Sequence, residues 1–180
     1  MNRVHRVTVG LAVAALTAIG AGAAAVPAGA AAPGQQGVTD QQHVPEAIRV
    51  PDGNRRIAVM PGRGVQTYQC VGGAFTFVQP DAILKHDYRA EVLHSRGPVW
   101  TDVFDGSSVT AAVDAASPVP DAIPELLLHA TSHRVPGLLA NVTFIQRLHT
   151  TGGVAPTGPC TEGVTASVPY TADYTFWVAS

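Results

Sequence analysis

One hundred and eighty residues, 46% of them hydrophobic and 13% charged, give enough chain to bury one core but not several. Eleven Lys and Arg face thirteen Asp and Glu. Arg3 and Arg6 fall in the N-terminal leader described next; without them the net charge is −4, which lacks the basic field that draws nucleic acid or an anionic membrane surface, so neither is expected as a partner.

The chain opens Met1-Asn2-Arg3-Val4-His5-Arg6 and then runs from Val7 to Val26 without a charged residue, chiefly as Ala, Gly, Val and Leu. Ala28 and Ala30, or Ala30 and Ala32, supply the small residues that a signal peptidase pocket accepts. Residues 1–30 are therefore predicted to be a signal peptide, cleaved after Ala30 or Ala32. An uncleaved anchor is the competing reading, because about 20 apolar residues can span a bilayer. The Ala and Gly content and the cleavage-like ending favour export, hence a secreted, extracellular protein. No later stretch is apolar for long enough to cross a membrane. Residues 31–44, rich in Ala, Pro, Gly and Gln, suit a flexible linker, and residues 45–180 a single folded domain.

From Val44-Pro45 onward, turn formers interrupt the chain at short intervals: Pro51-Asp52-Gly53-Asn54, Pro61-Gly62-Arg63-Gly64, Gly72-Gly73, Gly97-Pro98, Asp105-Gly106, Pro118 to Pro120, Pro136-Gly137, Gly152-Gly153 and Pro156 to Pro159. This punctuation predicts short strands in a sandwich or barrel. Arg56 to Met60, Val65 to Cys70, Phe75 to Val78 and Arg89 to His94 are expected strands. Val99 to Phe104 and Ser108 to Val113 flank Asp105-Gly106-Ser107 as a hairpin. Ile123 to His129 has two readings. Asp121 could cap a short helix with Pro124 in its first turn, or Leu126-Leu127-Leu128 could belong to a fully buried strand. Val142 to Leu148 alternates, and Val168, Tyr170, Ala172, Tyr174, Phe176 and Val178 form one apolar face with a period of two. The expected class is all-β, a single-domain sandwich or barrel of short antiparallel strands with at most one short helix.

Cys70 and Cys160 are the two cysteines, 90 positions apart in a chain read as exported. In an oxidising compartment one such pair predicts a structural disulfide, whereas metal or redox thiols more often stand close together as C-x-x-C.

The residues carry no G-x-S-x-G elbow, H-E-x-x-H, Walker loop or C-x-x-C pair, and no cofactor is expected. Gly62-Arg63-Gly64 precedes a strand rather than a helix and is read as a turn. His129 and His133, four apart, would fall on one side of a helix or one face of a strand, as metal chelation needs. A third ligand would have to come from His94, His86 or Asp121, so the pair is a weak metal candidate and surface histidines are the plainer reading.

His94 shares a strand face with Ala90 and Val92, and Asp102 one with Trp100 and Phe104. A His94–Asp102 pair beside Ser107 is formally the material of nucleophilic catalysis, or a satisfied polar pair in a β core. Arg147, on the face of Ile145, could clamp a carboxylate (Asp102, Glu91 or Asp173) or a backbone carbonyl. Trp177 faces away from Tyr170 and Tyr174 and is either an exposed platform or covered from outside. The pocket candidates are thus His94, Asp102 and Arg147. The favoured expectation is a non-enzymatic extracellular β domain that binds a small ligand, a cell-wall polymer or a protein. The alternative is a histidine-centred hydrolytic or metal-dependent enzyme.

Read together, several segments resemble the family of exported proteins catalogued as domain of unknown function 3455. They are Gly64-Val65-Gln66-Thr67-Tyr68-Gln69-Cys70, His94 with Gly97-Pro98-Val99-Trp100, Asp105-Gly106-Ser107, and Ile123-Pro124 with Leu126-Leu127-Leu128. Ile145-Gln146-Arg147-Leu148 with Gly152-Gly153, Cys160, and Val168-Pro169-Tyr170 with Ala172, Tyr174 and Phe176 continue the series in order. The chain departs from the pattern at Ser95-Arg96, Glu125 and His149. The resemblance implies secretion and one domain, and brings no activity with it.

Overall fold

The computed structural model describes residues 41, 43–86 and 89–180. The predicted signal peptide and nearly all of the predicted linker lie outside the described residues. Eight strands follow one another: β1 (Asn54–Val71), β2 (Ala74–His86), β3 (Arg89–Ser95), β4 (Val99–Asp102), β5 (Ser108–Val119), β6 (Ala122–Arg134), β7 (Val142–Gly152) and β8 (Thr165–Ala179). Each pairs antiparallel with the next, and β8 returns to pair with β1, closing an up-and-down barrel. Closure leaves no strand edge to satisfy. Among the described residues no helix is long and apolar enough to cross a membrane.

The alternation read in 168–178 sets the barrel's inside. Tyr170, Ala172, Tyr174 and Phe176 join Met60, Leu84, Val92, Trp100, Val109 and Ile145 in the interior core. The opposite face is buried too at its C-terminal end, at Thr175 and Trp177. A strap of residues 41–50, with a 3₁₀ turn at Glu46–Ile48, lies outside β6, β7 and β8, where Ile48 and Val50 pack with Leu127, Leu148 and Trp177. Gln146, 1% exposed, ties this layer together. Its Nε2 donates to the Ile48 carbonyl at 2.7 Å, while its Oε1 accepts from Thr175 Oγ1 at 2.9 Å and Trp177 Nε1 at 3.1 Å. Gln41 brackets Val50, its Oε1 taking the Val50 amide and its Nε2 donating to the Val50 carbonyl. Trp177 is therefore a buried anchor for the strap, not an exposed platform.

Several strands run longer than the turn signals suggest. Pro61-Gly62-Arg63-Gly64, expected as a turn, lies inside β1. Pro61 sits where β1 is paired with β8 but not yet with β2, so its missing N–H costs no ladder bond on that side. The glycines serve close approach: the Tyr174 ring lies over Gly62, and Gly64 faces the backbone of Asp81 and Ala82 on β2. Ile123 to His129 is a strand and not a helix; Asp121, at φ 56°, makes the β5–β6 turn. Pro124 is tolerated because the β6–β7 ladder is interrupted between Ala122 and Leu126. Side chains take over there, Thr150 Oγ1 donating to the Ile123 carbonyl at 2.6 Å and Arg147 to that of Pro124.

The lower end of the barrel is closed. Asp105 accepts the amides of Ser107 and Leu138, and the Ser107 hydroxyl oxygen accepts that of Leu139, so fully buried Leu139 is held as a plug. At the upper end the disulfide predicted from sequence joins Cys70, at the end of β1, to Cys160 in the β7–β8 loop. Cys70 also exchanges backbone hydrogen bonds with Gly163 and Val164, and Tyr68 Oη donates to the Gly153 carbonyl at 2.6 Å. The long loop is thus fastened to β1 along its length.

Candidate functional site

Leu139 and the core residues fill the lower half of the barrel, and the interior opens toward the disulfide end. A cavity of about 380 Å³ occupies that mouth, at the lower end of the range for small-molecule sites. Its apolar wall comes from Phe77 and Val78 on β2, Pro98 before β4, Val113 on β5, and Leu126 and Leu128 on β6. Phe77 and Val113 are 52% and 53% exposed, a degree of apolar exposure at a concave mouth that an occupant would cover.

The polar groups on the wall are few and converge from different strands: Gln66 and Tyr68 (β1), His94 (β3), Trp100 (β4), Arg147 (β7) and Tyr174 (β8). The rings of His94 and Trp100 stack at 4.2 Å and 7°, with Tyr174 tilted against His94 at 5.4 Å. His94 Nδ1 lies 3.1 Å from the Val99 carbonyl. A carbonyl can only accept, so Nδ1 carries the proton and Nε2 is left as the acceptor.

Burial drives the His94 pKa down to about 4, an effect that the Val99 carbonyl opposes, Arg147 reinforces and Asp81 opposes. Burial likewise raises the hydroxyls of Tyr68, Tyr170 and Tyr174, the last well above the usual phenol value. Tyr170 Oη and Tyr174 Oη share a hydrogen bond of 2.9 Å, and Tyr174 stands opposite Arg147 in the β7–β8 pairing. At neutral pH the Arg147 guanidinium is the one formal charge among the cavity's described lining residues.

Arg147 settles its sequence alternatives in favour of a carbonyl. Nε and Nη2 both donate to Pro124, at 3.1 and 2.7 Å, and no carboxylate pairs with it among the described residues. His94 and Arg147 do meet in one cavity. Asp102 does not join them: its Oδ1 accepts the amides of Phe104 and Asp105 in the lower β4–β5 turn. Ser107 belongs to that same lower network. The possible His–Asp–Ser constellation is thus dispersed over the two ends of the barrel.

The metal candidates separate as well. Cross-strand partners share a face, and His129 pairs with Ala112 whereas His133 pairs with core residue Val109. The register shift between Thr110 and Ala111 adds a residue to β6, turning the two histidines to opposite sides of the sheet. His129 Nδ1 meets Asp114 outside, and His133 Nε2 lies 2.8 Å from the Val142 carbonyl. No group of three or more metal-binding side chains occurs among the described residues.

The sequence model of the family described as "Protein of unknown function (DUF3455)" matches residues 84–178, more than half of the chain. The chain belongs to the DUF3455 family. The match begins late in β2 and ends in β8, so it takes in His94, Trp100, Arg147 and Tyr174 of the cavity and leaves out Gln66, Tyr68 and Cys70. No curated protein and no solved structure matches this DUF3455 chain. Two of its departures from the pattern of the resemblance touch each other: the His149 amide donates to Glu125 Oε1 at 2.7 Å, and His149 Nδ1 lies 2.9 Å from Asp173. They brace the outside of the interrupted β6–β7 seam rather than entering the cavity. Gln66 and Tyr68 carry no sequence signal of their own, because nothing local to β1 shows that its residues face a mouth completed by residues as distant as Arg147 and Tyr174.

Keeping His94 neutral has a consequence for stability. The free imidazole titrates near 6.5 and the buried one near 4, so between those values the unfolded chain binds the extra proton. Stability is full above pH 6.5 and falls on acidification to about pH 4, by on the order of 3 kcal/mol for this group. Asp105, whose carboxyl is lowered chiefly by its bonds with Ser107 and Leu138, adds its loss in a separate window below pH 3.8. Urea midpoints measured from pH 7 to 4 should fall in the wild type and flatten in His94→Phe. Equal slopes would remove His94 from the account.

Proposed function

We propose that the mature protein is an exported, non-enzymatic β-barrel that binds a small ligand in its mouth cavity. The observation that carries this reading is the cavity itself, concave and largely apolar, with a few polar groups converging from five strands. Export is supported by the charged start, apolar run and A-x-A sites of residues 1–32 and by the Cys70–Cys160 bond. A wall polymer or a protein would need a groove or a flat patch, and a cavity of this size favours a small molecule instead. The enzymatic reading is disfavoured by the placement of His94, which has neither a carboxylate partner nor a neighbouring nucleophile among the described residues. Its imidazole is held neutral and stacked on Trp100.

Thermal shift of the purified mature protein against a panel of small amphipathic compounds tests the proposal. A ligand at about 100 times its dissociation constant stabilises by about 2.7 kcal/mol, which is a rise of several degrees. Val113→Phe, at the half-exposed rim, should narrow the mouth and abolish the rise while leaving the unliganded melting temperature within about 2 °C, as surface substitutions usually do. A panel without any stabilising compound, or a rise undiminished in Val113→Phe, would count against the cavity.

A further inference from the structure

The two buried side-chain atoms of the mouth that lack a partner are of one kind. Gln66 Nε2 and Trp100 Nε1 are buried without a hydrogen-bond partner among the described residues, and both residues line the cavity. Both atoms are donors. Arg147 spends Nε and one Nη2 hydrogen on Pro124, which leaves guanidinium N–H groups uncommitted. The tyrosine hydroxyls are already engaged, Tyr68 with Gly153 and Tyr170 with Tyr174. No acidic side chain lines the cavity among the described residues: Asp81 is exposed on β2, and Glu125 is turned to the His149 amide. The wall therefore presents one fixed positive charge and two unpartnered buried donors, with the His94 Nε2 acceptor beside them, above a predominantly apolar surface.

We infer that the ligand of this cavity is an amphipathic monoanion, a carboxylate on a compact apolar body. The Arg147 guanidinium takes the carboxylate, for which its planar fork is suited. Gln66 and Trp100 supply the neutral donors, and the body lies against Phe77, Val113 and Leu126. A buried donor without an acceptor is destabilising, so an acceptor entering here relieves a cost that the empty barrel carries. A cationic head would meet Arg147 with like charge, and a neutral head would leave the guanidinium without its counter-charge.

The inference rests on the cavity-binding reading above, and one experiment separates the two. Isothermal titration of the mature wild-type protein uses three probes of equal chain length, decanoate, decan-1-ol and decylamine, each below its micellar concentration. Decanoate is expected to bind roughly tenfold or more tighter than decanol, in line with a charge-assisted hydrogen bond, and decylamine weakest. In Arg147→Gln the decanoate advantage should vanish while decanol affinity is kept. The wild-type comparison stands alone should that variant not fold. Decanol or decylamine binding as tightly as decanoate overturns the head-group inference and leaves the cavity reading intact. Failure of all three probes to bind overturns both.

Discussion

Cys160→Ser is expected to lower the melting temperature of the mature protein by on the order of 10 °C, with the all-β far-ultraviolet spectrum retained. The bond closes a loop with a sequence separation of 90. In the chain-entropy description, whose mechanism is disputed, freeing such a loop returns roughly 4–5 kcal/mol to the unfolded state. A domain of this size has only about 5–15 kcal/mol to lose. The effect should also be local. Cys70 holds the β7–β8 loop against β1 together with its own backbone bonds to Gly163 and Val164, so amides from 153 to 164 should exchange faster in the variant than those of β5 and β6. An unchanged melting temperature on reduction would mean that the barrel's ladder alone sets its stability.

Gly64→Ala is the second large effect, at roughly 3–4 kcal/mol, from a single methyl group. A Cβ at this position would stand 2.5 Å from the Cα of Ala82 and against the carbonyl oxygen of Asp81. Both are backbone of the paired strand, so no side chain can rotate away. Relief requires β1 and β2 to separate where Gly64 pairs with Ala82, and that separation opens the barrel wall. Equilibrium urea unfolding reads the loss directly. Gly53→Ala is the contrast: a Cβ there meets nothing within 4 Å, and only its positive φ of 83° opposes the change, so the loss should be about 1 kcal/mol. Equal losses at the two glycines would show that crowding between β1 and β2 is not what Gly64 prevents.

What could be read from the sequence was what neighbouring residues decide. The period of two in 168–178 identified the inward face of β8, Asp105-Gly106 marked the β4–β5 turn, and the wide cysteine spacing announced a structural bond. What could not be read depends on partners far along the chain. Sandwich and barrel share the same local alternation, and the choice between them is made where β8 pairs with β1 over Gln69↔Thr165 to Asn54↔Ala179. Gly62-Arg63-Gly64 looks like a turn until β2 and Tyr174 are seen lying on it. Trp177 looks like a surface ring until residues 41–50 cover it.

The candidate site was half legible for the same reason. His94 and Arg147 were picked as inward-facing polar residues on apolar strand faces, and both reach the cavity. Asp102 has the same alternation, but its carboxylate is taken by the amides of the turn that follows it, a local capture that strand periodicity does not reveal. The spacing of His129 and His133 puts them on one side of a helix or one face of an unbroken strand, and the bulge in β6 turns them to opposite faces. Gln66 and Trp100, whose unpartnered donors define the ligand class, give no sequence signal, because a missing hydrogen bond is a property of the surroundings.

Fluorescence of Trp100 tests the central claim most directly. Trp100 lines the cavity and Trp177 lies beneath the strap. These are the two tryptophans of the chain, so Trp177→Phe leaves a reporter on the cavity wall and Trp100→Phe one outside it. Each variant is titrated with a bromine-bearing ten-carbon amphiphile, acid or alcohol, whose heavy atom quenches on contact. A ligand in the mouth predicts saturable quenching of Trp100, weakened by Val113→Phe, with Trp177 unaffected. Quenching that rises linearly without saturation, or that is equal for the two tryptophans, would contradict the cavity as the binding site.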